Sequence, residues 1–377
     1  MIQLSCAFDS GAITVLSCND PADMRIALRP DNAAHFKQWF HFRASGVKGV
    51  HCAYTLIDAG EAAYPGGWDG YAVRASYDRR HWFCVPTQHE AGQLHFNHVP
   101  DHDTVYYAYF EPYGWERHLD LIARAQSTAP WCHAIRLGQT LEGRDLDLLR
   151  IGEPDPGKRN IWVIARQHPG ESMAEWFAEG LIDALLDAAH APTRALLQTA
   201  VFHIVPNMNP DGSVRGNLRT NAAGANLNRE WATPSATRSP EVLLVRQKMR
   251  EVGVDAFLDV HGDETIPHNF VAGCEGNPSF STRQCRLQDA FKGAWLAASP
   301  DFQTDHGYQD REFGPEQMTL ATNWVGDAFD CLAFTIEMPF KDTAGHPSPA
   351  TGWNGERSRQ LGASVLLPLL AVCGQLR

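Results

Sequence analysis

The sequence predicts two domains, a β-rich one over residues 1–122 and an α/β one over residues 123–377. Three observations lead there. The chain has 377 residues, long for a single domain. Its first third is a run of short strand-like pieces separated by turn residues. From about residue 130, apolar strand candidates alternate with helical stretches.

In the first part, GAITVLS, QWFHFRAS, HCAYTLI, YAVRASYD, HWFCVP, QLHFNHV and TVYYAYF show partial two-residue alternation. They are rich in aromatic and β-branched residues, and Gly, Pro, Asp and Asn punctuate them at short intervals. That pattern predicts an antiparallel sandwich or barrel. It stops at EPYGWERHLDLIARAQ, where a short helix and a linker are expected. The second part reads LDLLRIG, NIWVIAR, a helix after Glu171, AVFHIVPNMN, a helix within SPEVLLVRQKMREVG, then DAFLDVHG and CLAFTIEMPF. In the helix after Glu171, Met173, Trp176, Phe177, Leu181, Ile182, Leu185 and Leu186 recur mostly at three- and four-residue steps, which gives one apolar face. Strands alternating with helices predict a sheet covered on both sides. The polar, Gly-rich stretch 212–226 reads as a long loop, and such loops in compact domains usually carry function.

Composition is that of a globular protein: 44% hydrophobic and 20% charged residues. The formal charge of −12 repels polyanions on average, so nucleic acid is not an expected partner. No run of about 18 apolar residues is present, so no membrane span is expected. MIQLSCAFDSGAITVLSCND lacks a basic start and a long apolar core, and no signal peptide is read there. Nine scattered cysteines without a CxxC pair read as reduced, mostly buried thiols of a cytoplasmic protein.

The chemistry-bearing residues cluster at predicted strand ends. His168-x-x-Glu171, in RQHPGESMAEW, ends one apolar strand and opens a helix; ligands in α/β sheets bind outside the carboxyl ends of strands. Alternatively, Glu171 caps the helix and His168 packs. His261, in LDVHG, stands at the end of a second strand candidate, with Asp259 on the same face. Two strand-end histidines and a carboxylate form the set zinc uses when it keeps a fourth position open. A second HxxE, His261-x-x-Glu264, overlaps this segment. The pairs His95/His98 and His98/His102 lack ligand-like partners and read as surface or packing residues. Asn228 and Arg229 offer an amide and a guanidinium side by side, suited to a carboxylate, and Arg219 on the same polar stretch is a further cation. Glu337 lies inside the apolar FTIEMPF, where a carboxylate must be paired, protonated or used.

Taken together, HPGE, NPDG, the arginine of GNLRT, the NR of LNREW, the strand-end histidine and the glutamate of FTIE occur in the order found in the zinc metallocarboxypeptidases of the pancreatic type. The chain resembles that family, and HPGE, NPDG and LNREW resemble its cytosolic branch. QWFHFRASG and VYYAYFEPYGW resemble the N-terminal β-sandwich that this branch carries. The resemblance implies a sandwich followed by an α/β domain with a mixed central sheet. It implies one Zn2+ per chain held by His168, Glu171 and His261, Glu337 as general base and acid toward the attacking water, and Arg219 polarising the scissile carbonyl. It implies Asn228 and Arg229 as the clamp on a free C-terminal carboxylate, so that peptide or protein C-termini are the substrates.

Two positions depart from the family pattern. Asn226 stands where the family commonly has an aspartate bonded to a zinc histidine; an amide oxygen still accepts from an imidazole N–H but raises its basicity less. The family's mobile substrate-site tyrosine has no clear counterpart, Tyr308 being the one tyrosine between His261 and Glu337. Acidic end residues are the expected substrate class, with Arg283, Arg286, Lys292 and Arg311 as candidate cations. Two other readings share parts of the pattern: a zinc N-acyl amino acid amidohydrolase of the desuccinylase and aspartoacylase type, and a non-catalytic binding protein that keeps the fold. Oligomeric state is left open by the sequence.

Overall fold

The structure is a computed structural model that describes residues 1–309 and 314–377. Ten strands build the first domain: β1 (Gln3–Ser5), β2 (Thr14–Ser17), β3 (Met24–Ala27), β4 (His41–Ser45), β5 (Cys52–Leu56), β6 (Val73–Ser76), β7 (Phe83–Val85), β8 (Thr87–Glu90), β9 (Gln93–His98) and β10 (Thr104–Ala108). They form two sheets, ordered β1-β4-β10-β6-β7 and β2-β3-β5-β9-β8. Pairing is antiparallel except between β3 and β5, which run parallel. Alternation explains the core. In β5, Cys52, Tyr54 and Leu56 turn inward while Ala53 and Thr55 are half-buried. Tyr107 meets Tyr54 at 5.1 Å and Phe96 at 5.3 Å from the opposite sheet, so aromatic pairs hold the two layers together.

The helix expected after residue 111 is four turns long rather than short: α1 (Trp115–Thr128). The second domain then follows as β11 (Cys132–Gln139), β12 (Asp145–Ile151), β13 (Arg159–Ala165), α2 (Met173–Leu186), α3 (Ala191–Thr199), β14 (Ala200–Val205), α4 (Pro210–Arg215), α5 (Pro240–Val252), β15 (Ala256–Asp263), β16 (Phe270–Ala272), α6 (Thr282–Ala298), α7 (Ala321–Phe329), β17 (Leu332–Pro339), α8 (Gly355–Ser364) and α9 (Leu366–Cys373). The sheet order is β11-β12-β14-β13-β15-β17-β16. β14, β13, β15 and β17 are parallel, and β11, β12 and β16 add antiparallel edges, so the sheet is mixed.

The central strands are buried on both faces, as the unbroken apolar runs require. Ile161, Val163 and Ala165 of β13 pack with α2, α8 and α9, while Trp162 and Ile164 pack on the other side with Val242, Val245 and Val325 of α5 and α7. α2 is not a helix with one wet face: twelve of its fourteen residues are buried. α8 lies against it closely enough that a Cβ at Gly180 would stand 2.0 Å from the Arg359 carbonyl oxygen. The acids of α2 are neutralised in place. Glu175 pairs with Arg166 at 2.7 Å and Glu179 with Arg117 at 2.9 Å.

The domains share a continuous seam. Tyr109 stacks on Phe340 at 4.5 Å. Arg74 donates to the carbonyls of Phe340 and Trp353, and Lys341 donates to the carbonyl of Asp69.

Candidate active site and metal centre

After β13 the chain continues on one side to β14 and later on the other to β15. This is the point where strand order reverses and α/β sheets bind ligands. Arg166, just past β13, adopts a left-handed backbone with φ of 60°, costly for a side chain that large. Its guanidinium holds the turn by donating to the carbonyls of Pro169 (2.9 Å) and Tyr113 (2.8 Å). That turn delivers His168 and Glu171 to the rim of the sheet.

β15 and β17 are paired in parallel with His261 opposite Glu337 and Asp259 opposite Thr335. Strand alternation therefore brings all four side chains to one face. Donor atoms of His168, Glu171 and His261 lie within 4.8 Å of one another, and all three residues are buried. The Glu171 carboxylate reaches Nδ1 of His168 and Nδ1 of His261, each at 2.7 Å, and the two Nδ1 atoms face each other at 3.2 Å. The outer nitrogens are committed elsewhere: His168 Nε2 to Asn226 Oδ1 at 3.0 Å, His261 Nε2 to Asp259 Oδ2 at 2.9 Å. Those acceptors fix Nε2 as the protonated nitrogen in each neutral ring and leave both Nδ1 lone pairs aimed inward, the arrangement a metal needs. Burial, helped by Arg219, pushes the His168 imidazole down to about 3. Burial opposes charge on His261 as well, but Asp259 and Glu171 outweigh it and hold that ring well above its usual value, so a metal bound there would displace its Nδ1 proton. Two nitrogens and a carboxylate oxygen converging in a closed space are a donor set that fits zinc.

The remaining predicted residues line one cleft of about 1360 Å3 together with this cluster: Arg219, Asn228, Arg229 and Glu337. Glu337 is 6% exposed; its Oε1 accepts from the Tyr308 hydroxyl at 2.9 Å and its Oε2 has no partner. Burial drives its carboxyl well above the usual range, with His261 opposing. Arg219 Nη1 lies 3.9 Å from Glu171 and its guanidinium 5.2 Å from the Tyr64 ring. The Asn228 amide touches His261 Nε2 at 3.4 Å and accepts from Ala321 N at 2.8 Å. Arg229 donates to the Asn228 carbonyl at 2.6 Å. The expected loop over 212–226 begins inside α4, which Asn209 caps.

Of the four candidate cations for the end residue, Lys292 lines the cleft, 3.3 Å from Glu275. Arg283 is held outside it by Asp330, Arg286 is not among its lining residues, and Arg311 falls outside the described residues. Tyr308, unplaced by sequence, stands in the cleft bonded to Asp263 and Glu337.

Three lining or supporting residues escaped sequence reasoning. Tyr64 and Asp31 come from the first domain, and Glu264 belongs to the HxxE that no site absorbed. Asp31 accepts from the backbone N–H groups of Leu218 (2.6 Å), Arg219 (2.9 Å) and Thr220 (2.8 Å), and from the Thr220 hydroxyl (2.9 Å). No local pattern marks Asp31 or Tyr64, because their role depends on how the domains meet.

Comparison with known proteins decides the family. Residues 4–110 match the cytosolic carboxypeptidase N-terminal domain, and residues 117–354 match zinc carboxypeptidase. The chain belongs to the zinc carboxypeptidase family. A metallo-carboxypeptidase from Burkholderia cenocepacia is 50% identical, with a TM-score of 0.97 over 98% of both chains. A metallo-carboxypeptidase from Pseudomonas aeruginosa, in complex with (2-guanidinoethylmercapto)succinic acid, is 49% identical, with a TM-score of 0.97 over all of both chains. Mouse cytosolic carboxypeptidase 6 is 25% identical over 97% of this chain and 72% of its own length. This carboxypeptidase is therefore a zinc peptidase acting on peptides or proteins, and the comparisons do not favour the amidohydrolase reading. Among the described residues, no helix is long and apolar enough to cross a membrane.

Proposed function

We propose that this carboxypeptidase removes the last residue of a peptide or protein chain, with His168, Glu171 and His261 as the zinc ligands. The observation that carries this reading is the convergence of those three donors with Glu337, opposite His261 in the sheet, in a cleft that also holds Arg219 and Arg229. Zinc, when bound, acts as a Lewis acid and lowers the pKa of water. Glu337 takes the proton of the attacking water at its unpartnered Oε2 and passes it to the leaving amine; dry surroundings that raise its basicity suit both steps. Tyr308 holds the other oxygen and orients the carboxylate. Arg219 donates to the negative charge that develops on the scissile carbonyl oxygen, stabilising the transition state more than the ground state. Asn228 and Arg229 hold the terminal carboxylate, which sets the last peptide bond beside the base.

For the end residue we propose glutamate, with Lys292 as the cation that receives it in exchange for Glu275. We place the protein in the cytoplasm, since all nine cysteines are free thiols, and take the domains as 1–122 and 123–377. The test is release of end residues from a peptide library with and without a chelator. Release that survives full zinc removal, or cleavage at internal bonds, would refute the reading. End-residue release that is no faster for glutamate than for alanine, or a preference untouched in Lys292→Gln, would remove the glutamate assignment alone.

A further inference from the structure

Glu264 is an acid of the cleft that the proposed reaction does not use and that lacks a donor at one oxygen. Its neighbour Asp263 is fully engaged: Oδ1 accepts from Thr265 N (2.7 Å), Thr265 Oγ1 (2.9 Å) and Ile266 N (2.6 Å), and Oδ2 accepts from the Tyr308 hydroxyl (3.0 Å). Glu264 is 5% exposed, lines the same cleft, and its Oε1 is buried with no hydrogen-bond partner. The nearest family of donors does not reach it: Arg219 is drawn to Glu171 at 3.9 Å, and no cation pairs with Glu264 among the described residues. Burial and the nearby Glu171 push the Glu264 carboxyl well above its usual range, with Arg219 opposing, so a cation beside it is what would ionise it and give Oε1 a donor.

The first domain closes the other side of this acid. A Cβ on Gly67 would stand 2.9 Å from Cβ of Glu264, so the turn Pro65–Trp68 presses directly on it and only glycine fits. Tyr64, just before that turn, also lines the cleft and presents its ring to Arg219. Thr335, Asn323 and Lys292 line the cleft from the catalytic domain; Tyr64 and Glu264 line it where the domains meet. In the exopeptidase reading, Arg219 takes the scissile carbonyl and Arg229 the terminal carboxylate. The end residue then occupies the catalytic-domain side, and the residue before it occupies the seam.

We propose that Glu264 and Tyr64 form a subsite at the domain seam for the residue preceding the scissile bond, and that this subsite selects a cationic side chain, lysine or arginine. Glu264 supplies the counter-charge, and the Tyr64 ring supplies an apolar, electron-rich wall for the stem and cation. An arriving ammonium or guanidinium gives the orphaned carboxyl its missing donor in a site shielded from water, where such a pair is strong. This inference rests on the exopeptidase reading of the same cleft.

The experiment uses the zinc-loaded full chain and peptides that differ only in the penultimate residue: lysine, glutamine or glutamate. The expected result is a kcat/KM for the lysine peptide about 10-fold above the glutamine peptide, equal to ~1.4 kcal/mol, with glutamate lowest. In Glu264→Gln the lysine-to-glutamine ratio falls to near one while zinc content stays at one per chain. Tyr64→Ala, which removes the ring wall and leaves the acid, should also lower the lysine-to-glutamine ratio. This variant decides the matter should Glu264→Gln fail to fold. A wild-type ratio near one, a ratio that survives in a folded Glu264→Gln, or a ratio unchanged in Tyr64→Ala would overturn the subsite. Release from none of the peptides would sink the exopeptidase reading itself; release without lysine preference sinks only the subsite.

Discussion

Replacing Asp31 by asparagine tests whether the first domain holds the catalytic machinery in place. Asp31 is 4% exposed and its two oxygens collect four donors from the segment that carries Arg219. Oδ1 takes Leu218 N, and Oδ2 takes Arg219 N, Thr220 N and Thr220 Oγ1, all between 2.6 and 2.9 Å. Asparagine keeps the shape but has one acceptor. In its better orientation the amide oxygen serves the three donors at Oδ2, and its NH2 then faces Leu218 N–H. Hydrogen bonds to a charged acceptor contribute ~1.5–3 kcal/mol and neutral ones ~1 kcal/mol, so one lost and three weakened bonds cost at least ~3 kcal/mol. Burial already pushes the Asp31 carboxyl above its usual pKa against these donors; relief of that penalty returns part, leaving a net loss of ~2–4 kcal/mol. Arg219 rides on the loosened segment, and misplacing a transition-state donor by ~1 Å costs ~100-fold. Urea denaturation measures the first effect and kcat/KM on a peptide measures the second. An Asp31→Asn protein within ~0.5 kcal/mol of wild type and equally active would refute the argument.

Other expectations follow from the same geometry. Glu337→Gln should keep its zinc and lose ~100- to 10,000-fold in kcat, whereas His168→Ala should come out of metal analysis with zinc depleted. Gly180→Ala should destabilise by more than ~3 kcal/mol, read from its melting temperature, because the new Cβ would stand 2.0 Å from the Arg359 carbonyl oxygen; near-native stability would mean that α2 and α8 separate freely. His118 is buried, bonded to Glu175 Oε1 at 2.7 Å, with Asp147 3.4 Å away. Burial opposes its charge, but these two acids raise it from 6.5 to about 9. A raised folded-state pKa means its contribution, on the order of 3 kcal/mol, is complete below pH 6.5 and lost as pH climbs through 9. Denaturation at pH 6 and pH 9.5 checks this, and His118→Asn should flatten the difference.

Sequence made the catalytic strands legible because burial on both faces leaves long apolar runs, and DAFLDVHG and CLAFTIEMPF are such runs. Their polar residues then stood out, and parallel register places His261 beside Glu337 without any further information. The strands left unread are short or polar, apart from β11, an eight-residue edge strand that is mostly half-buried. β8 is TQHE, β16 has three residues, and β3 is an MRIA that pairs parallel with β5. α2 showed its apolar stripe but not its full burial, since the covering by α8 depends on Gly180 and Gly362 meeting backbone from the other helix. Motif order set Asn226 against one of the candidate zinc histidines, and its Oδ1 lies 3.0 Å from His168 Nε2. Tyr308 was not, because its place depends on a fold-back that brings its hydroxyl between Asp263 and Glu337.

Apart from Tyr308, the residues that sequence could not find share one feature: each acts across the domain seam. Asp31 reaches Arg219 through backbone, Tyr64 offers Arg219 its ring, and Gly67 packs on Glu264. Asn32 adds bonds to Asn217 and to the Ala222 carbonyl, and Gly224 lies so close to Ala33 that a Cβ there would stand 2.3 Å from its carbonyl oxygen. The long polar loop of the catalytic domain is therefore shaped on its outer side by the sandwich rather than by its own packing. A loop of that length has little apolar surface with which to order itself and costs ~1–2 kcal/mol per residue to fix. It follows that the proposed zinc ligands, which sit on β15 and the turn after β13, depend on the catalytic sheet, while Arg219, proposed to act on the carbonyl, depends on both domains. Metal binding and turnover are in that sense supported by different parts of the chain, and substitutions at the seam should separate them.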